Sequence, residues 1–171
     1  MRDMMVLIEP LIPGLRRYAR SLLRDADAAD DLVQDCLERV VGRWHQRRTD
    51  GNARSWVYTI LHNLAINRIR QQTRRGQHLP MDNAPEPALA EQPTQESQLH
   101  SRDITAAVDR LPDDHRAVLL LISVEELSYA EAARVLDVPV GTVMSRLSRA
   151  RERLRRDMTD SPQVSHLRRV K

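Results

Sequence analysis

Residues 128–154 read SYAEAARVLDVPVGTVMSRLSRARERL. Ser128 and Glu131 have the spacing of a capping box, which starts a helix by satisfying two backbone N–H groups. Pro139 and Gly141 predict a break and the start of a second helix. Two short helices joined by a tight turn are typical of a helix-turn-helix, so this stretch predicts a DNA-reading unit.

The second helix of this stretch has one apolar face and several polar ones. Val143, Leu147, Ala150 and Leu154 recur at spacings of four, three and four, which predicts a buried face. The serines and arginines on the other faces suit a DNA major groove, where arginine can pair with guanine or hold phosphate. A merely solvated charged face is the alternative, but the cap, the turn and the basic helix occur together at helix-turn-helix spacing.

Composition indicates an all-α protein, and the spacing of the histidines does not suggest a metal site. Phe is absent, aromatic residues make up 3% and Gly occurs 5 times in 171 residues, which favours helices over sheets. The single cysteine, Cys36, lies in a helical pattern and is expected to be a small buried hydrophobe. The six histidines lack metal-ligand spacing. Neither a signal peptide nor a membrane span is evident, so we expect a cytoplasmic protein without membrane insertion.

Charge and proline content divide the chain. Residues 1–75 and 128–171 each carry a net charge of +5, whereas residues 76–127 carry −7, which suggests two separate DNA contacts. Residues 76–100 contain four prolines and no basic residue. We therefore predict two small helical domains, at residues 1–75 and 101–171, joined by a flexible linker at 76–100. A long functional loop inside one domain is less favoured, because structureless segments of this length are uncommon in compact domains.

Helical patterns fill both predicted domains. About four helices are expected in the first, including those at residues 11–23, 26–41 and 53–75, the last ending in a strongly basic segment. In the second, a helix at residues 104–110 ends at L-P-D-D, and Pro112 suits the first position of the next helix. The helix at 26–41 displays acidic and amide side chains outward, which beside two basic surfaces implies a protein partner as well as DNA. Solvation alone would otherwise explain that face.

Three further segments support a family resemblance: DAADDLVQDCLERV at 27–40, ARSWVYTILHNLAINRIRQQTRR at 53–75 and LPDDHRAVLLL at 111–121. With the opening stretch they resemble an extracytoplasmic-function (group 4) sigma factor of the sigma-70 family, over about residues 9–156. The resemblance implies a non-enzymatic alternative sigma factor, which binds core RNA polymerase and directs promoter-specific initiation. RRYARSL at 16–22 and ADDLVQDCLER at 29–39 are similar to the branch that controls the general stress response in proteobacteria.

The resemblance also implies roles for individual residues. The first domain corresponds to region 2, whose acidic helix docks on the clamp helices of the largest polymerase subunit through Asp31, Gln34, Asp35 and Glu38. The −10 element would be held by a loop near a flipped base and by the basic helix that follows, through Arg47, Arg48, Asn52, Asn63, Asn67, Arg70 and Arg74. The last domain corresponds to region 4, which contacts the flap region and reads the −35 element through Thr142, Ser145, Arg146, Ser148 and Arg149. The family further implies an anti-sigma partner, no catalytic residues, no cofactor and no obligate homo-oligomer.

Some positions depart from the family pattern or have two interpretations. Leu37 stands where Phe is usual, which should affect only packing. Asn67, Met144 and Ser148 replace residues common at or beside base-reading positions, so they bear on the promoter sequence. Packing is favoured over base stacking for Trp56, and both roles stay open for Trp44.

Two other classes of protein compete with the sigma factor interpretation. A stand-alone helix-turn-helix regulator that binds operator DNA, as a dimer, would have little use for the acidic helix, and the chain lacks a dimerisation heptad. An enzyme with a DNA-binding tail is not supported by any Gly-rich phosphate loop, metal cluster or nucleophile elbow.

Overall fold

The computed structural model describes residues 2–47, 52–76 and 95–159, and the side chains in these ranges except those of residues 2 and 95–101. Arg48, the turn at 49–51 and linker residues 77–94 lie outside the described residues. Within the described ranges the chain is helical and contains no strand. The helices are α1 (Arg2–Ile8), α2 (Ile12–Leu23), α3 (Ala26–Arg43), α4 (Ala53–Arg74), α5 (Gln95–Asp109), α6 (Asp113–Ser123), α7 (Tyr129–Leu136) and α8 (Val140–Thr159).

The first domain consists of α1 to α4. Helix α2 ends at Arg24, which adopts a left-handed conformation, and Asp25 caps α3 by accepting a 2.9 Å hydrogen bond from the backbone N–H of Ala28. Asn52 caps α4 in the same manner, through the backbone N–H of Arg54 at 2.9 Å. These caps fix where the long helices begin, and they confirm the predicted helices at 26–41 and 53–75 to within two residues.

Helix α1 is the fourth helix of the first domain, and its position was not predicted from the sequence. It contributes only two buried apolar side chains, Met4 and Ile8, to the core. A helix of seven residues is too short for its periodicity to be distinctive. A single 3-10 turn, Glu9–Leu11, joins it to α2.

The second domain consists of α5 to α8, and its first helix is longer than predicted. Helix α5 begins at Gln95, six residues inside the predicted linker, because residues 95–103 contain neither Pro nor Gly to stop it. The prediction for Pro112 was wrong by one position. It occupies the N-cap of α6, with φ −53° and ψ 147°, and Asp113 is the first helical residue.

The helix-turn-helix is confirmed in detail. Ser128 and Glu131 form both hydrogen bonds of the capping box, and Asp137 ends α7 in a left-handed conformation. Val143, Leu147 and Ala150 of α8 are buried, as their spacing predicts, whereas Leu154, the fourth residue of the predicted face, is only half-buried.

The two domains pack directly against each other. Helix α2 contacts α6, and α4 contacts α7. Buried apolar residues from both domains belong to one connected core cluster. The described residues therefore form a closed arrangement, in which the helix-turn-helix lies against the N-terminal end of α4.

Candidate functional site

The acidic face of α3 is exposed as predicted. Asp31, Gln34, Asp35 and Glu38 all have exposed side chains. Gln34 Nε2 donates a 3.2 Å hydrogen bond to Glu38 Oε1, which aligns these two side chains along the helix. Within the described part of the chain, no salt bridge engages Asp31 or Asp35, so both carboxylates can meet a basic or polar partner.

An open groove runs along this acidic face, between α2 and α3. Its lining includes Arg16, Gln34, Leu37 and Val41. Leu37 is half-buried and Val41 is 56% exposed, so the groove has an apolar floor beside its acidic rim. Leu37 packs against the core, as expected, and part of its side chain also lines this groove.

The basic end of α4 presents a regular polar face. Asn63, Asn67, Arg70 and Arg74 are all exposed. Their spacings of four, three and four place them on one side of the helix. The structure thus brings together, on a single face, four of the seven residues predicted to contact the −10 element.

An aromatic pair lies at the other end of the same region, beside the loop at 48–51. The rings of Trp44 and Trp56 meet edge to face, with centroids 6.1 Å apart and planes at 70°. The guanidinium carbon of Arg47 lies 4.7 Å from the centroid of Trp44. Both tryptophans are half-buried and pack against the core. The favoured packing role of Trp56 is consistent with this geometry, while Trp44 combines packing with an exposed portion beside a cation.

Asn52 occupies a different setting from the one expected for a DNA contact. Besides capping α4, its side-chain amide donates a hydrogen bond to Glu131 Oε1 in α7. Burial raises the pKa of the Glu131 carboxyl, but hydrogen bonds from Ser128 and Asn52 outweigh burial and hold that pKa below its usual value. A residue predicted to meet DNA is thus engaged by the other domain.

The second helix of the helix-turn-helix, α8, presents its predicted residues in two groups. Ser145, Ser148 and Arg149 are exposed, whereas Thr142 and Arg146 are half-buried. Ser145 Oγ donates a 3.1 Å hydrogen bond to the backbone carbonyl of Thr142. Arg146 Nε lies 3.2 Å from Asp114 Oδ2 of α6, so this guanidinium is ion-paired within its own domain.

Glu125 is a functional candidate that sequence reasoning missed. It lies in the loop between α6 and α7 and is only 2% exposed. Its Oε1 accepts hydrogen bonds from Arg17 Nε at 2.9 Å and Nη2 at 2.7 Å, and its Oε2 accepts one from the Tyr58 hydroxyl at 2.6 Å. No local signal distinguishes it from the adjacent Glu126, which is exposed.

Other buried polar groups have structural surroundings. Burial lowers the pKa of His62 to about 4, and its Nδ1 lies 3.0 Å from the Tyr18 hydroxyl. Burial raises the pKa of the Cys36 thiol to about 12, against a smaller opposing effect of Arg39, consistent with the predicted small hydrophobe. In the described ranges, no three His, Cys, Asp or Glu side chains cluster as metal ligands would. Nor is any described helix long and apolar enough to cross a membrane.

Comparison with known proteins places both domains. Residues 8–62 match the family model described as the Sigma2 domain of PhyR, and residues 101–154 match Sigma-70, region 4. The ECF RNA polymerase sigma factor EcfG of Rhodopseudomonas palustris is 37% identical over 143 residues, which cover 84% of this chain and 78% of that protein.

Solved structures resemble both domains at once. The sigma factor RpoE of Bartonella quintana, in a co-crystal with the anti-sigma factor NepR, matches with a TM-score of 0.77 and 31% identity, over 94% of this chain and 99% of its own. CnrH, solved in complex with the cytosolic domain of CnrY, matches with a TM-score of 0.69 over 94% of this chain and 90% of its own. At 21% identity, that second likeness concerns the fold alone.

Proposed function

This chain belongs to the extracytoplasmic-function sigma factors. We propose that one of its exposed surfaces binds core RNA polymerase and that two others bind the promoter. The chain is an alternative RNA polymerase sigma factor, and the family consists of transcription factors. It contributes no catalytic step of its own. The observation that carries the proposal is the coexistence of an acidic, apolar-floored groove on α3 with two exposed polar faces on α4 and α8.

The groove on α3 is the surface for core polymerase. Asp31, Gln34 and Glu38 supply its polar rim, and Leu37 and Val41 supply apolar area. Asp35 is exposed on the same helix, outside the groove lining, and extends the acidic surface. A protein interface of this kind gains affinity from burying the apolar floor, whereas the carboxylates select a basic partner surface and set its orientation. The clamp helices of the largest subunit are the partner that the family implies.

The α4 face and the adjacent aromatic pair are the surface for the −10 element. Arg70 and Arg74 suit backbone phosphates, and Asn63 and Asn67 can donate to and accept from base edges. Trp44, with Arg47 against its ring, offers a stacking surface next to the loop expected to hold an unpaired base. Asn52 joins this surface only after it leaves Glu131.

The exposed residues of α8 are the surface for the −35 element. The side chains of Ser145, Ser148 and Arg149 are exposed and can contact base edges in a DNA major groove. Arg146 must break its ion pair with Asp114 before it can contact a base or a phosphate. Thr142 lies at the edge of the same helix face. The flap region of the polymerase would hold this domain near its DNA site.

An anti-sigma factor of the NepR type is the proposed inhibitor. The sigma factor RpoE that was crystallised with NepR superimposes over 94% of this chain, which includes both domains. The closed arrangement of this chain thus resembles that of a sigma factor bound to its inhibitor. A role in the stress response is the corresponding proposal for its regulation.

Binding to core polymerase tests the proposal. The double substitution Asp31→Arg with Gln34→Arg should abolish association with purified core polymerase, measured by fluorescence anisotropy of the labelled chain. The control Asp27→Arg also replaces a carboxylate with a guanidinium on the same helix, a change of +2 against +3 for the double variant, at an exposed residue outside the groove. Equal affinity of the double variant and the control would remove the groove from the polymerase interface.

A further inference from the structure

The contact between the two domains is built around a buried carboxylate. Glu125, from the loop between α6 and α7, is inserted between α2 and α4 of the first domain. Its two oxygens receive three hydrogen bonds, two from Arg17 and one from Tyr58, and Arg54 Nη2 lies 3.8 Å from Oε2. A buried carboxylate is unfavourable unless it is paired and hydrogen-bonded. The first domain provides every one of these partners.

Gly14 makes room for this insertion. A Cβ atom at position 14 would lie 2.5 Å from both Glu125 Oε2 and the Tyr58 hydroxyl. Real Cβ atoms do not approach other heavy atoms so closely, so a side chain at position 14 would displace the Glu125 carboxylate and the Tyr58 hydroxyl from their present positions. The first domain therefore has a socket shaped for the carboxylate of the second.

Two further hydrogen bonds cross the same boundary. The Asn52 amide donates to Glu131, and Arg24 Nη2 donates to the backbone carbonyl of Asp109 at 2.5 Å. The first of these engages a residue proposed to contact the −10 element. Helix α7 thereby covers the N-terminal end of α4.

This closed arrangement is incompatible with simultaneous contact to both promoter elements. Positions −10 and −35 are about 25 base pairs apart, or roughly 85 Å of duplex at 3.4 Å per base pair. Domains that touch through Glu125 and Tyr58 cannot reach two sites so far apart. Residues 77–94 would bridge about 65 Å if fully extended, and the widths of the two domains add to this reach, so the chain length allows such a separation.

We infer that Glu125 acts as an interdomain latch, which keeps the free chain closed and must be released before the two domains engage a promoter. The promoter consequence rests on the proposed function, whereas the latch itself is a property of the free chain. When the domains separate, solvent reaches Glu125 and its partners Arg17 and Tyr58 at the same time. The latch can therefore be released without leaving a buried charge unpaired. Each domain retains its own helices in the open state.

Two substitutions test the latch by different means. Glu125→Gln keeps the shape of the side chain but removes the charge that holds Arg17. Gly14→Ala leaves the latch residues unchanged but places a methyl group in the socket, and alanine is a better helix former than glycine. Glu126→Gln is the matched control, since it removes the neighbouring, exposed carboxylate.

Small-angle X-ray scattering of the free chains, residues 1–171, measures the closure. We expect a larger radius of gyration for Glu125→Gln and Gly14→Ala than for the unmodified chain and Glu126→Gln, with unchanged helix content by circular dichroism. If Glu125→Gln fails to fold, Gly14→Ala decides alone. An unchanged radius in a folded Gly14→Ala chain, or an equal expansion in Glu126→Gln, would overturn the latch.

Transcription at limiting sigma measures the consequence. If the closed form is 70–90% populated, releasing the latch should raise the yield of promoter-specific transcript on the order of three- to tenfold. If variants with a larger radius of gyration give no more transcript than the unmodified chain, the latch does not need to be released before the promoter is bound. If the unmodified chain gives no transcript at all, the proposed function fails, while the scattering experiment still tests the latch.

Discussion

Asp114 and Arg146 form an ion pair within the second domain, with Asp114 Oδ2 3.2 Å from Arg146 Nε. This pair joins α6 to the helix that is proposed to read the −35 element. In the proposed promoter complex, the Asp114 carboxylate competes with DNA for the Arg146 guanidinium. Because both side chains are partly exposed, the pair itself adds little to stability.

Substituting Asp114 should strengthen promoter binding. Asp114→Asn frees the Arg146 guanidinium for DNA, so we expect about two- to fivefold tighter binding of the holoenzyme to promoter duplex at low salt. Fluorescence anisotropy with a labelled duplex measures this affinity. In an Arg146→Ala background the same substitution should have almost no effect. An equal gain in both backgrounds would mean that Asp114 acts by general repulsion rather than through Arg146.

Arg149 should behave as a base-reading residue. It is exposed on the same helix face as Ser145, and Arg149→Ala should weaken initiation by about 1–3 kcal/mol with relaxed preference at one −35 position. Competition assays over single-base promoter variants measure both effects. Arg151→Ala, another exposed arginine of α8, is the control and should reduce binding uniformly. The base-reading role is excluded if Arg149→Ala also reduces binding uniformly.

Trp44 should contribute to strand opening more than to stability. Trp44→Leu retains apolar volume but removes the ring that faces Trp56 and Arg47. Loss of one base-stacking contact costs about 1–3 kcal/mol, so open-complex formation should fall roughly five- to 150-fold. Fluorescence of 2-aminopurine in the −10 element reports opening, and chemical denaturation reports stability. A variant that loses stability but still opens promoters normally would assign Trp44 to packing alone.

Acid should destabilise the fold through His62. Burial lowers the pKa of its imidazole to about 4, whereas an unfolded chain binds the proton near pH 6.5. The unfolded state therefore binds more protons as the pH falls from 6.5 towards 4, and stability is lost over that window. Between pH 7 and pH 5 the loss is about 2 kcal/mol.

Urea denaturation at several pH values measures this loss. His62→Gln should flatten the pH dependence of the unfolding free energy, even if the variant is less stable at pH 7. His45→Gln changes an exposed histidine and should leave the wild-type slope unchanged. A His62→Gln chain with the wild-type slope would show that other groups dominate the acid response.

Sequence patterns correctly predicted the helix caps and helix faces that depend on contacts between residues close together in the chain. The capping box at Ser128 and Glu131, the apolar stripe of α8 and the outward acids of α3 all follow from interactions within four residues. The shared face of Asn63, Asn67, Arg70 and Arg74 follows from helix geometry alone.

The closed arrangement depended on contacts that no local pattern reveals. Arg17 and Glu125 are 108 positions apart, and Tyr58 and Glu125 are 67 apart. Sequence alone gave no reason to choose Glu125 over Glu126, or to see Gly14 as a socket. For the same reason, Asn52 and Arg146 were expected to be available to DNA, although their side chains are engaged by Glu131 and Asp114.

Promoter-specific run-off transcription with purified core polymerase tests the central claim most directly. We predict that the chain, added to core polymerase and a template with a cognate promoter, yields a transcript of defined length, and that Asp31→Arg with Gln34→Arg abolishes it while Asp27→Arg does not. Tight binding of the chain alone to a specific duplex, with no association with core polymerase and no transcript, would contradict the account and indicate a stand-alone operator-binding regulator.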